Sequence, residues 1–281
     1  MRQAIRSTLL AVLLLGLVGC SSTTFVYNRL DFIIPWYVGK YVDLSRDQKK
    51  FLDSQLAPFL SWHRNEELPG YLSIVDEIEQ SLGSEVTAGQ ISTLAGRFEE
   101  AWLRIELRGL EWMLALGQEL SREQMNEFVA SLREKQQEYK EEYLPRSDEE
   151  YREEAYDNLE DSAQDFLGRL DWGQRTTLEE AAAQLQRSDG IWLRERALWL
   201  DRLEQILQRE ARWQEAVREA LRNREQTTSA EYQAVYEFNS GVIYQALAKL
   251  ANTRSERQDR RLRKRLDDLR EDIESLIARG D

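Results

Sequence analysis

The chain of 281 residues contains one cysteine, one histidine and four prolines, and each scarcity closes off a class of structure or chemistry. A single thiol, Cys20, leaves no intramolecular disulfide to staple the fold, so stability rests on packing. A single imidazole, His63, excludes a metal site built from several histidines, and with no cysteine beside it there is no thiol–imidazole pair for nucleophilic catalysis. Four prolines, with Val and Thr not gathered into runs, argue against sheets. Neither a nucleophile elbow nor a phosphate-cradling glycine loop is present, and no acidic loop has the glycine spacing of a calcium site. Pairs such as Glu66 and Glu67 or Glu99 and Glu100 say nothing about acid–base chemistry in a chain with 51 acidic residues. No catalytic residue, metal ligand or cofactor is therefore assigned. A lone buried glutamate acting on a glycan is the one enzymatic reading left open.

What is present reads as helix. Leu, Ala, Glu, Arg and Gln dominate, the residues that lose least on entering a helix. The chain is 42% hydrophobic, with eight Trp and eleven Tyr to fill a core. The expected fold is all-α, an elongated multi-helix bundle of long capped helices. Net charge is −13, and about −15 once Arg2 and Arg6 are removed. Such an acidic body makes a poor ligand for nucleic acid.

Those two arginines precede an apolar stretch over residues 9–18 that is too short to span a membrane. It ends in Leu17-Val18-Gly19-Cys20: two apolar residues, a small one and the thiol. The pattern resembles the lipobox of bacterial lipoproteins. That resemblance implies a signal peptide over 1–19, an acylated Cys20, and Ser21 at the position that sorts the product to the outer membrane, facing the periplasm. Several acyl chains on one residue satisfy the need for more than one membrane signal. Residues 20–43 then form an anchor and aromatic segment carrying Phe25, Tyr27, Phe32, Trp36, Tyr37 and Tyr41. Two readings stand side by side: the segment lies against the leaflet beside the lipid, or it docks on the body as a first short helix.

Residues 44–281 read as a single helical domain punctuated by a recurring start signal. Leu44-Ser45-Arg46-Asp47-Gln48, Val86-Thr87-Ala88-Gly89-Gln90 and Leu120-Ser121-Arg122-Glu123-Gln124 share an apolar residue, a hydroxyl, two spacers and a glutamine, and Leu170-Asp171-Trp172-Gly173-Gln174 repeats the pattern with Asp. Each is a capping box, in which the side-chain oxygen takes an early helical N–H and the glutamine reaches back to the cap's own N–H. The signals and apolar spacing predict helices from Ser45, with Pro58 kinking the first, then over 69–82, 87–116, 121–143, 147–170 and 171–188.

A longer helix is expected over 191–225, where Trp192, Trp199, Ile206 and Trp213 fall seven apart beside Leu193, Leu200 and Leu207. A stripe that wide needs two or more neighbours. Core packing is the bland reading of the tryptophan row, and a ligand platform the sharper one. After Thr227-Thr228-Ser229 comes a final helical region, ending in a narrow seam over about 254–279. There Arg254, Arg257, Arg260, Arg261, Arg263, Lys264 and Arg265 crowd together. This cluster is a candidate contact for lipid phosphates or an acidic partner. Alternatively it lies beside the acidic run from Asp148 to Asp161 or faces solvent.

His63 and Arg64, in Trp62-His63-Arg64, are the other candidate contacts, with a hydrogen-bonded role in the helix as the plainer alternative. That stretch, together with Phe25-x-Tyr27-Asn28-x-Leu30-Asp31, Trp36-Tyr37, Tyr41-Val42-Asp43-Leu44, Gln48 and Glu67-Leu68-Pro69-x-Tyr71, resembles a family of uncharacterised lipoproteins of Gram-negative bacteria defined by a domain of unknown function. The resemblance implies a helical lipoprotein and brings no activity. The Leu-Ser-x-x-Gln elements are similar to the Leu-Thr-x-x-Gln motifs of small periplasmic stress chaperones. The expectation is a structural or adaptor lipoprotein, tethered to the membrane through Cys20, that binds an envelope protein. A tethered holdase for unfolded clients is the alternative.

Overall fold

The starts of the helices fall where the caps put them. The computed structural model describes residues 20–208 and 211–278, with side chains from Thr24 onward. The leader expected over 1–19 and the side chains of Cys20 and Ser21 lie outside the described residues. Among the described residues every regular element is helical: α1 (Cys20–Tyr27), α2 (Leu30–Val38), α3 (Arg46–Trp62), a π-turn (His63–Glu67), α4 (Leu68–Ser81), α5 (Ala88–Glu119), α6 (Arg122–Tyr143), α7 (Asp148–Leu167), α8 (Trp172–Gln184), α9 (Asp189–Ile206), α10 (Trp213–Arg222), α11 (Arg224–Thr227), α12 (Ala230–Thr253) and α13 (Glu256–Ala278). No helix among these residues is long and apolar enough to cross a membrane.

Ser45, Thr87, Ser121, Ser147 and Asp171 each close a full capping box onto the residue three further on. The boxes do more than start helices. Gln48 and Gln124 face each other, each side-chain amide donating to the other's Oε1 at 2.9 and 2.8 Å. Gln48 also donates to the carbonyl of Glu119 at 2.8 Å, and Gln124 to that of Asp43 at 2.6 Å. The starts of α3 and α6 are thus bolted together. The same device recurs at the other end of the chain. Ser255 and Gln258 exchange reciprocal bonds of 2.9 and 3.3 Å at the start of α13, a cap the sequence reading did not single out. Gln258 and Gln174 then exchange amides at 2.8 and 3.0 Å. Asn252 clamps the backbone of Val86 through two bonds of 2.8 Å, and so supports the residue before the Thr87 cap.

Two helix boundaries differ from expectation. The helix expected to open at Pro69 begins at Leu68 and continues directly from α3 through the π-turn. Proline has no N–H for the carbonyl four residues back and crowds it. The chain widens just before it, so that the Leu68 N–H donates to the carbonyl of His63, five residues back. Pro58 lies within α3, which runs on past it. The helix expected over 191–225 is broken into α9, α10 and α11, with Arg212 left-handed at φ 67°. The break turns Trp213 onto Gly117, where its ring carbon would stand 3.0 Å from an added Cβ. Both halves of the seven-residue row still face core.

The interior is divided among four apolar clusters. The largest gathers Leu52, Leu56, Leu110, Leu114, Leu116, Val217 and Leu221, with Trp199 and Trp213 packed against it. A second joins Leu68 and Val75 of α4 to Leu266, Ile273 and Leu276 of α13. A third lies between α7, α8 and α12. Trp192 and Leu193 meet Tyr139, Tyr143 and Tyr232 in the fourth, so the tryptophan row is spent chiefly on packing. The C-terminal helix α13 packs against α4, α7 and α1, which brings the two ends of the described chain together.

Candidate functional site

Among the described residues the π-turn is where the α-helical ladder widens to a five-residue step, and it holds the chain's only histidine. Such turns cost regular hydrogen bonds and often mark sites where side chains must be aimed. Here the turn presents His63 between two tyrosines. The Tyr27 hydroxyl lies 2.8 Å from Nδ1 and the Tyr71 hydroxyl 3.2 Å from Nε2. A neutral imidazole accepts from one hydroxyl and donates to the other, so both ring nitrogens are satisfied. Burial pushes the pKa of His63 down, and the charge of Glu67 only partly offsets it. Burial likewise raises the pKa values of Tyr27 and Tyr71, so the phenols stay protonated.

Beside this relay Glu67 is buried at 4% exposure and takes three short contacts from Arg104, at 2.6, 3.0 and 3.0 Å. The guanidinium's bonds to that carboxylate raise its own pKa. Arg64 donates to the Asn28 side chain at 3.0 Å and lies over the Tyr27 ring at 5.3 Å. Thr24 donates to Asp272 of α13 at 3.1 Å. All three partners, Thr24, Tyr27 and Asn28, belong to the segment that follows Cys20. The arrangement is a clasp that fixes α1 to the body through the π-turn and α13.

The candidate residues divide accordingly. His63 and Arg64 come together with Tyr27, Asn28, Glu67 and Tyr71. The lone histidine of the sequence supplied one member, while Tyr27, Glu67 and Tyr71 were visible only as parts of the motifs that carried the family resemblance. The basic cluster of α13 does not join this site. Arg254 and Arg263 bind Asp259 at 2.7 and 2.9 Å, and Arg254 caps the end of α4 by donating to the Leu82 carbonyl at 2.6 Å. Arg261 and Arg265 donate to the Asp165 carbonyl at the end of α7, each at 3.4 Å. Lys264 pairs with Asp268 at 2.7 Å. Arg254, Arg261 and Arg265 thus serve helix C-termini, where the dipole and the unpaired carbonyls attract them. Arg257 is exposed, and Arg260 reaches only Glu256, at 3.7 Å.

Two further features lie away from the clasp. An open groove of about 530 Å³ runs between α5, α9 and α12, with Leu198, Trp199 and Tyr236 among its walls and Glu99, Glu195 and Glu237 along it. Arg196, at 8% exposure, meets no carboxylate among the described residues. It lies 5.2 Å from the Tyr139 ring, and burial lowers its pKa.

The anchor segment itself divides into two faces. Ile34 and Val38 pack against the largest core cluster, so α2 docks on the body. Phe25, Val26, Phe32, Trp36 and Tyr37 remain between 48% and 68% exposed.

Comparison with known proteins gives one match. The model of a family of unknown function, DUF6279, covers residues 40–233. No curated protein and no solved structure matches the chain.

Proposed function

The chain belongs to the DUF6279 family of unknown function, and we propose from its own residues that it is a lipid-anchored, non-catalytic scaffold that presents an envelope partner at the periplasmic face of the outer membrane. Cys20 carries the lipid and Ser21 the sorting signal in this reading. The observation that carries it is the clasp. A tether meant only to localise a body needs no structure, yet here the helix after Cys20 is held by Tyr27, Asn28 and Thr24. Fixing the anchor to the core sets the orientation of the whole body relative to the membrane. Orientation matters to a scaffold with one partner surface and is wasted on a holdase that meets clients from any side.

The capping motifs favour the same side. Of the glutamines that resemble those of stress chaperones, Gln48 and Gln124 are spent on each other and Gln174 on Gln258 of α13. The test has two parts. Mass spectrometry of the protein purified from membranes is expected to find a triacylated N-terminal Cys20, with Cys20→Ala shifting part of the chain to the soluble fraction. Photo-crosslinking in cells from positions 64, 198, 257 and 260 is expected to capture one dominant protein from one of these surfaces. A broad set of unrelated unfolded proteins from all of them would overturn the scaffold in favour of the holdase.

A further inference from the structure

The exposed aromatics that follow Cys20 are grouped on two short helices. Phe32 and Trp36 share a face of α2 at a step of four, with Tyr37 beside them, and Phe25 and Val26 lie on α1, across the turn at Asn28 and Arg29. Their exposures of 62, 68 and 56% for Phe25, Phe32 and Trp36 stand against the docked Ile34 and Val38 on the opposite side. The remaining exposed large apolar residues, Leu107, Met113, Leu144, Trp172, Leu198 and Phe238, are spread singly over the body. Two cations accompany the aromatics: Arg29 lies 5.4 Å from the Phe25 ring and Lys40 3.9 Å from the Trp36 ring. Asp31 and Asp43 offset them, so residues 20–43 carry no net charge in a chain whose net charge is −13. Tyr37 and Tyr41 join hydroxyls at 3.0 Å on the same edge.

From this face we infer that α1 and α2 seat the body on the lipid–water interface, as a monotopic foot beside the acyl chains. The occupant is the leaflet that carries the lipid on Cys20, so the inference rests on the lipid-anchor reading above. Three arguments select it. Phe25 is five residues along α1 from Cys20, a rise of about 7.5 Å, so a bilayer that holds the acyl chains is within reach of this face. Trp, Tyr and Phe rings with Lys and Arg at their edges are the composition that interfacial segments use, with apolar rings in the acyl boundary and cations at the phosphates. A segment without net charge meets less repulsion from an anionic leaflet than the rest of this acidic surface would. The clasp then transmits the seating to the whole body.

The test uses the full-length lipidated protein in vesicles of phosphatidylethanolamine and phosphatidylglycerol. Because acylation consumes the only native thiol, Phe32→Cys, Trp36→Cys and, as a control, Trp172→Cys each supply a single site for a nitroxide label. Labels at 32 and 36 are expected to collide several-fold more with oxygen than with a water-soluble nickel chelate, relative to the label at 172. Equal nickel accessibility at 32, 36 and 172 would overturn the foot. So would shielding at 32 and 36 from both reagents, which would mean that a second copy or another protein covers the face. The mass of the lipid on Cys20, read from the same sample, reports the anchor separately. A lipidated chain with water-exposed labels sinks the foot and leaves the anchor standing. As a second variant, Phe32→Ser with Trp36→Ser in the Cys20→Ser chain is expected to lower vesicle co-flotation several-fold, and unchanged co-flotation counts against the foot.

Discussion

His63 shows how one residue can be both the weakest and the most informative signal in a sequence. As a lone imidazole it excludes most histidine chemistry. In the fold it is the middle of a three-membered hydrogen-bonded row between Tyr27 and Tyr71. Its lowered pKa makes a prediction with a definite sign. Burial holds the folded imidazole neutral at pH values where the unfolded chain, with the ordinary value of 6.5, already takes up a proton. Between those two pKa values the unfolded state binds more protons, so stability is complete above about pH 6.5 and falls as the pH drops below it. Protonation also turns both ring nitrogens into donors, and the tyrosine that donated to the ring loses its acceptor. Melting temperatures between pH 7.5 and 5.5 are expected to decline in the native chain. In His63→Gln, which keeps one donor and one acceptor, that slope is expected to flatten, because the chain has no other imidazole. An undiminished slope in the variant would place the acid sensitivity elsewhere.

At the scale of the element, the helix starts were legible because a cap is a local device. Ser45, Thr87, Ser121 and Asp171 with their glutamines state their own geometry within four residues. The breaks were not legible for the opposite reason. Residues 207–212 hold Leu, Gln, Arg, Glu and Ala, all helix formers, and no Gly or Pro, so nothing local marks the left-handed Arg212 that sets Trp213 against Gly117. The π-turn was masked by Pro69, which reads as a helix start even where the chain remains helical through it. The seat of the α13 cations at the ends of α4 and α7 was hidden because a carbonyl leaves no mark in a sequence. The amide pairs were half visible: Gln48, Gln124 and Gln174 were assigned to their own caps and not to their opposite numbers, and Gln258 stood in a cap that was not singled out. Their double use predicts coupling. Gln48→Ala and Gln124→Ala are each expected to cost about 1–2 kcal/mol, because each removes part of a cap and leaves a carbonyl and an amide unpaired. In the double variant the losses are expected to fall short of additive by about 1 kcal/mol, measured by urea unfolding. Strict additivity would mean that the two caps act independently.

For the molecule as a whole, the clasp matters more than any single core. The four apolar clusters hold the helical body together, but α1 is joined to it by a handful of polar contacts and the ring of Tyr27. That division predicts that the anchor can be loosened without melting the body. In Tyr27→Phe with Asn28→Ala the ring stays packed, while the bonds to His63 and Arg64 are lost. Two hydrogen bonds at about 1 kcal/mol each amount to roughly a thirtyfold increase in local opening. Amide hydrogen exchange over residues 24–29 is expected to speed up by that order. Exchange in α5 and the melting temperature are expected to move little, since Leu110, Leu114 and Leu116 draw nothing from the clasp. If the body instead loosens as a unit, the clasp is part of the core and not a joint. If exchange over 24–29 does not change, the ring packing of Tyr27 holds α1 and the polar row only selects its angle. The expected result is a body whose stability is independent of α1, with the angle of α1 to the body fixed by Thr24, Tyr27, Asn28 and the residues they meet.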